Sequence, residues 1–355
     1  MSKRYALFAN ANSGENTLDY KRHGKYVRLN VLKKMIEDHN GKVYITGNSH
    51  DYVNEVDQQV ELACKYEPDV VFIQSGDGGT LTFLTRLIAH WPYTEKPFPL
   101  IAHPKGGTFG ILANRLDIRD PVVYVKNILK TKELGNLTVK DIKLMRVEDD
   151  SGYSHVSFSV GTGFPVRLLK EAYKKKHLKN LRIGMMTLRS IFSAIANGNY
   201  YRRFDGQQKM TISTKSHFDE VETCTREWLA LIAQTISSIG LPKGLPRRQE
   251  IFQKAETAED TFHAIGVDYN FRRMLWEMPQ IYIGEAGTYR DRKTDEERRV
   301  LLLDKQLQSL TITADEPFEY QSCGEIFAPT KTLYINSYKT VRFIAGNHKV
   351  VKNVK

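Results

Sequence analysis

Between Tyr5 and Gln74 the chain alternates short apolar runs with stretches of helical period: YALFAN, YVRLNVLKKMIEDHNG closed by Gly41, KVYIT, VNEVDQQVELACKY and DVVFIQ. A strand shows alternation or a continuous apolar run, and a helix shows an apolar stripe every three or four residues. The five segments meet those templates in turn. Adjacent parallel strands need a crossover of helix length, so β-α-β-α-β with short connections predicts a parallel sheet with helices on both faces. LTFLTRLIAHW then reads as a further helix, and PLIAHPKGGT as a strand entering a glycine turn. In open sheets of this kind ligands bind outside the carboxyl ends of the strands. Three loops meet that condition: ANANSG, SGDGGT and HPKGGT.

A chain of 355 residues exceeds one ordinary core and predicts about two domains. The pattern changes across KTKELGNLTVKD, which places a first α/β domain at 1–135. Beyond it KDIKLMRV, YSHVSFSV, KMTIST, QSLTITA and KTLYIN alternate as strands of a mainly antiparallel second domain at 136–328. Residues 329–355 are expected to return toward the first domain. A helical excursion over 167–203 interrupts the strands, with Leu181, Met185, Leu188, Phe192 and Ile195 at helical spacing beside KKKHLKNLR.

Composition narrows the partners. The chain is 41% hydrophobic and 26% charged, inside the globular range. Cys64, Cys224 and Cys323 lie far apart with no C-x-x-C pairing, which speaks against a disulfide framework or zinc site and predicts a reducing, cytoplasmic setting. MSKRYALFANANSG reads as a first strand rather than a signal peptide, and WLALIAQTISSIGL is too short and too polar to span a bilayer. A formal charge of +11 calls for an anionic partner. From Arg167 to Arg203 there are ten Lys or Arg and a single acid, Glu171, so the excess is local.

SGDGGT after an apolar strand is a phosphate-site signal. Successive backbone N–H groups form an anion-binding concavity that the N-terminus of the next helix continues, while Gly76, Gly78 and Gly79 leave room for a ligand. A tight structural turn is the plain alternative, and the second turn of the same construction in HPKGGTFGILAN makes it less economical. Neither turn is a Walker A sequence or a Rossmann G-x-G-x-x-G.

NANSG, SGDGGTLTFLTRL, PKGGTFGILANRLDI and SCGEIF resemble, in order and spacing, the diacylglycerol kinase catalytic-domain family of bacterial lipid kinases and sphingosine kinases. The resemblance covers nearly the whole chain, and the SGDGGT and PKGGT pair is its specific part. It implies an N-terminal α/β domain of the NAD-kinase and phosphofructokinase type that binds ATP with Mg²⁺, and a β-sandwich domain that contributes to the site of a lipid acceptor. Matched by position, it implies nucleotide contacts from Asn10, Ser13, Gly14 and Thr46. It likewise implies a phosphate cradle of Gly76, Gly78, Gly79 and Thr80, with Gly106, Gly107 and Thr108 opposite. Asp77 would orient the metal or the attacking hydroxyl, Asp260 in AEDTFHAI would be metal-linked, and Glu325 would be the base that takes the acceptor's proton.

The chain departs from the family pattern at five positions. An Asn-Glu pair becomes Thr82 and Phe83, an Asn becomes Gly110, an Asp becomes Cys323, and the glycine expected after Asp260 is Thr261. The leading expectation is a lipid kinase that phosphorylates a diacylglycerol-like or sphingoid hydroxyl, held peripherally on an anionic membrane surface through its basic helical segment. A NAD kinase-like enzyme and a catalytically inactive nucleotide- or lipid-binding protein are the alternatives. No nucleic-acid partner is expected, because no recognised module accompanies the basic run, and a homodimer is left open.

Overall fold

The computed structural model describes residues 3–13, 16, 20–21, 26–47, 51–92, 96–106, 110–174, 189, 193, 199–216, 220–237, 255, 260–283, 288–290, 297–299 and 302–346. It divides into two units, one of Met1–Ile142 with the segment from Thr340 onward, the other of Lys143–Lys339. The divisions fall at 142/143 and 339/340, where the sequence pattern placed crossings at 135/136 and 328/329.

In the first unit β1 (Tyr5–Asn10), β2 (Lys42–Thr46), β3 (Val70–Gln74) and β4 (Leu100–Ala102) form a parallel sheet in the order β2-β1-β3-β4. β3 is buried along its whole length, as a sheet covered on both faces requires. α1 (Val27–Glu37) packs on β1 and β2, and α2 (Tyr52–Tyr66) on β2 and on α3 (Asp77–His90). The chain runs outward from β1 to β2 and then back past β1 to β3. Right-handed crossovers therefore put α1 on one face, with α2 and α3 on the other. The strand order reverses between β1 and β3, which makes the carboxyl ends of those two strands the topological switch point.

Local chemistry sets the helix boundaries. The Asp51 side chain accepts from Asn54 N at the start of α2, and Asp120 accepts from Val122 N and Val123 N at the start of α5 (Pro121–Lys130). α4 (Ile111–Arg115) begins at Gly110, whose φ of +59° only glycine adopts without cost. A later strand joins β4 in parallel through Phe343 and Ile101, and the buried Tyr124 hydroxyl donates to Ile344 O at 2.7 Å.

The second unit is a β-sandwich. One layer is antiparallel throughout, in the order β14-β11-β10-β7-β16-β17. The other contains β18-β15-β8-β9, with β5 and β6 paired to each other. The strands are β5 (Val139–Asp149), β6 (Ser154–Ser157), β7 (Ser159–Gly163), β8 (Gln208–Lys215), β9 (Glu222–Trp228), β10 (Ala230–Gln234) and β11 (Phe262–Val267). A small pair, β12 (Thr288–Arg290) and β13 (Glu297–Arg299), precedes β14 (Leu303–Leu307), β15 (Ser309–Phe318), β16 (Tyr320–Ser322), β17 (Glu325–Ile326) and β18 (Thr330–Ile344). Val160, Leu231, Phe262 and Leu307 from the first layer meet Met210, Ile212, Leu310 and Leu333 from the second in one core. α6 (Phe164–Tyr173) and α7 (Phe271–Ile283) contribute Ala172, Phe271, Met274 and Leu275 to a separate cluster with Ile265 and Val267 of β11.

YSHVSFSV, read as one strand, is two: β6 pairs with β5, and after the buried Phe158 β7 pairs with β10 and β16. Most of the basic helical segment, including Leu181, Met185, Leu188, Phe192 and Ile195, lies outside the described residues.

Candidate active site

The candidate site of the first unit is assembled at the switch point. Ser75 and Gly76 follow β3, and α3 starts at Asp77, so the sequence DGGT is the first turn of the helix rather than a loop before it. Gly76 supplies no side-chain cap, and the first backbone N–H of the helix to find a partner among the cap bonds is Thr80 N on Gly76 O at 2.9 Å. The N–H groups of residues 77–79 are the orphan donors of a helix start, at its positive end.

The second glycine turn lies directly against the first. A Cβ placed on Gly106 would come within 2.9 Å of both Ser75 N and Ser75 O, so the two backbones touch with no room for a side chain. At Gly79 a Cβ would meet Ser75 Oγ at 2.0 Å. Gly106 is therefore required by packing at the turn, independently of any ligand, whereas a Cβ at Gly79 would force the Ser75 hydroxyl to turn aside.

Asp77 is buried, at 6% exposure, and ties the turns together. Its Oδ2 accepts from Ile111 N at 3.0 Å and its Oδ1 from Leu112 N at 3.3 Å, which caps the start of α4. Burial pushes its carboxyl up to about 6, while those N–H groups and the Lys105 ammonium hold it from rising further. Thr80 is fully buried, its Oγ1 3.1 Å from Nδ1 of the buried His103. Burial lowers that imidazole to about 4, so it is neutral at physiological pH.

After β1 the chain turns through an amide network. Asn10 Nδ2 donates to the Tyr52 hydroxyl at 3.1 Å, Asn12 N to Asn10 Oδ1 at 2.8 Å, and Asn12 Nδ2 to Gly47 O at 2.5 Å. The Asn16 amide donates to Asn10 O at 2.8 Å and accepts from Gln74 Nε2 at 3.1 Å. Thr46 is fully buried, with its hydroxyl on Ala9 O at 3.4 Å. Among the described residues, three buried polar atoms here have no hydrogen-bond partner: Ser13 Oγ, Gln74 Oε1 and Ser75 Oγ. Buried polar atoms are seldom left unpaired, and these three lie at or just beyond the carboxyl ends of the two strands of the switch point. Gly14, Gly107 and Thr108 lie outside the described residues.

In the second unit Glu325 opens β17 after a two-residue hairpin loop. Ser322 pairs with Glu325, while Cys323 (φ +48°) and Gly324 (φ +89°) both take the left-handed region, as a type I′ turn demands. Cys323 is buried, its Sγ 3.4 Å from Ser157 Oγ and its N–H donating to Ser159 O at 2.9 Å. Glu325 is exposed at the surface, yet the protein packed around it withdraws enough solvent to raise its carboxyl above the ordinary glutamate value. The Tyr173 hydroxyl donates to Gly324 O and is pushed up to about 12, first by burial and then by the charge of Glu325. Asp260 is exposed at a turn with φ +53°.

The arrangement suits an anionic ligand. Orphan hydroxyls, first-turn N–H groups and Lys105 are anion donors, and among the described residues none is engaged by a neighbouring carboxylate except through Lys105 and Asp77. Magnesium fits less directly. Both Asp77 oxygens already accept N–H bonds, and among the described residues no cluster of three His, Cys, Asp or Glu side chains could hold a metal ion. Sequence reasoning did not single out Gln74, Ser75, Lys105 or His103. Ser75 and Lys105 were visible inside the two quoted turns, but no spacing rule marks a buried partner such as His103.

A parallel α/β sheet with glycine turns at its switch point, followed by an antiparallel sandwich, defines a two-domain architecture with solved counterparts. The crystal structure of a candidate diacylglycerol kinase from Bacillus anthracis str. Sterne matches with a TM-score of 0.59 at 14% identity, covering 98% of both chains. A diacylglycerol kinase from the same organism gives 0.56 at 12% identity, over 98% of this chain and 97% of that one, and a further candidate diacylglycerol kinase gives 0.59 at 13% over 97% of each. No protein-family model and no curated protein sequence matches the chain. The likeness establishes the fold.

Proposed function

We propose that the protein is a lipid kinase that transfers the γ-phosphoryl group of ATP to a hydroxyl of a diacylglycerol-like or sphingoid lipid. The observation that carries this reading is the backbone contact of Gly106 with Ser75, which sets two glycine turns side by side at the switch point of a fold shared with diacylglycerol kinases. Phosphoryl transfer asks little covalent work of a protein. It asks for positioning, neutralisation of charge on the transferred group and a base for the hydroxyl proton.

In this reading Ser13, Ser75, Lys105 and the N–H groups of residues 77–79 receive the phosphates, with Asn10 and Gly76 shaping the approach. Asp77, Thr46 and Thr80 are positioning residues, since their side chains are buried and engaged within the protein. Magnesium would enter as the nucleotide complex, held by phosphates and water with few protein ligands. Glu325 would accept the acceptor's proton as the hydroxyl oxygen bonds to γ-phosphorus and the bond to the β-phosphate oxygen breaks, releasing ADP. No role is assigned to Asp260.

Purified protein incubated with radiolabelled MgATP and a panel of lipid alcohols in mixed micelles tests this. A labelled phospholipid whose formation requires Glu325 supports it. Product on NAD⁺ alone would favour a NAD kinase instead. Calorimetric ATP binding with no product from any acceptor would favour the inactive binding protein, which Thr82, Phe83, Gly110 and Cys323 motivate.

A further inference from the structure

We propose that the outer surface of the helical layer of the second unit, centred on Trp276 with Arg202 and Arg272, docks the protein on an anionic lipid surface. Its partner rests on the lipid-kinase reading, and its location rests on the following observations. α7 is two-sided: Phe271, Met274 and Leu275 are buried, whereas Arg272 and Trp276, one turn apart, point away from the core. Trp276 is 61% exposed, while Trp91 and Trp228 are 4% and 1% exposed. A side chain of that size left in water on a folded unit loses the burial that would ordinarily stabilise it. The segment 200–204 lies beside α7, with the Phe204 and Phe271 rings 5.5 Å apart, and both cover the same core cluster. Arg202 and Arg203 on that segment are exposed, as are Arg272 and Trp276 on the helix it packs against.

Charge identifies the occupant. Each carboxylate on these elements is already engaged. Glu171 pairs with Lys174 and Arg203, Glu277 with Arg273, and Asp268 with Arg226, while Asp205 accepts from Phe271 N at 3.0 Å and faces Arg167. Arg202 and Arg272 have no acidic partner among the described residues. A surface whose acids are neutralised and which keeps Arg202 and Arg272 without an acidic partner among the described residues is positive, and an amphipathic indole at its centre is the side chain that settles at a bilayer interface.

The three tryptophans make the test selective, because only Trp276 can change its surroundings without unfolding. Full-length protein is mixed with vesicles of phosphatidylcholine alone or with phosphatidylglycerol added, and brominated lipid is included as a quencher. The expected result is a blue shift with quenching on the anionic vesicles, reversed by salt and absent in Trp276→Phe. Arg202→Gln and Arg272→Gln should each weaken partitioning about fivefold, the effect of removing one interfacial charge. Equal quenching on neutral vesicles, no quenching, or arginine variants that partition like wild type would overturn the assignment. The two readings separate cleanly. Lipid phosphorylation in micelles without quenching removes this face and leaves the kinase, whereas quenching without phosphorylation of any lipid leaves the face and removes the kinase.

Discussion

Gly106 and Ser75 touch backbone to backbone, and a methyl group on Gly106 would lie 2.9 Å from both Ser75 N and Ser75 O. Both are backbone atoms, so the collision cannot be relieved by a rotamer change. Gly106→Ala should therefore destabilise the first unit by about 1–3 kcal/mol, as overpacking does, and weaken ATP binding by displacing the second turn. Gly135→Ala is the control, because nothing lies within 4 Å of its added Cβ. Thermal melts and calorimetric ATP titration check both. Equal behaviour of the two variants would mean that the turns are not in contact.

Asp77 and His103 give stability opposite pH dependences. The Asp77 carboxyl rises from 3.8 to about 6 on folding, so its contribution is full below about pH 4 and is lost as pH rises through 6. The difference amounts to about 3 kcal/mol at neutral pH. His103 falls from 6.5 to about 4, so its contribution is present above 6.5 and lost as pH falls toward 4. Relative to wild type, Asp77→Asn should gain stability as pH is raised from 4 to 7, and His103→Gln should gain it as pH is lowered over the same range. Chemical denaturation of the three proteins at several pH values measures the two slopes. Slopes of the same sign would contradict this burial.

Much of the first unit was legible because its strands are short apolar runs bounded by polar turns. YALFAN and KVYIT coincide with β1 and β2. The boundary at SGDGGT was misplaced by one helical turn. Glycines read as breakers, yet at a helix start the backbone N–H groups are unpaired in any case and glycine costs little there. Period-two alternation also missed the change of sheet at Phe158, because a strand that leaves one layer for another keeps its apolar pattern. The candidate site was legible only in its glycines and charges. That Asp77 caps α4, or that Thr80 spends its hydroxyl on His103, depends on contacts between distant segments.

Glu325 lies at the surface with a carboxyl raised above the ordinary glutamate value by the protein packed around it, which makes its carboxylate a stronger base. Glu325→Gln should leave the melting temperature within the range of ordinary surface substitutions, about 0.5 kcal/mol, and lower kcat by roughly 10²–10⁴ with little change in the KM for ATP. The acidic limb of the wild-type pH–rate profile should lie above the ordinary glutamate pKa, since the ionised carboxylate is the active form. A variant with wild-type kcat would remove Glu325 from the reaction.

Cys323 holds the turn that presents Glu325, and it does so at φ +48°, where a non-glycine residue is strained and a β-branched one most of all. Its side chain also fills a buried site against Ser157 and Ser159. Cys323→Gly relieves the backbone and empties that site, two effects of opposite sign that should leave stability within about 1 kcal/mol of wild type. Cys323→Val keeps the volume but adds a branched Cβ at positive φ, and should cost about 2 kcal/mol or more. Because Ser322 and Glu325 pair across this loop, the valine variant should also lose kcat while retaining ATP affinity. Melting curves and steady-state kinetics on the two variants decide it, and a valine variant as stable as the glycine one would show that the loop does not turn left-handed.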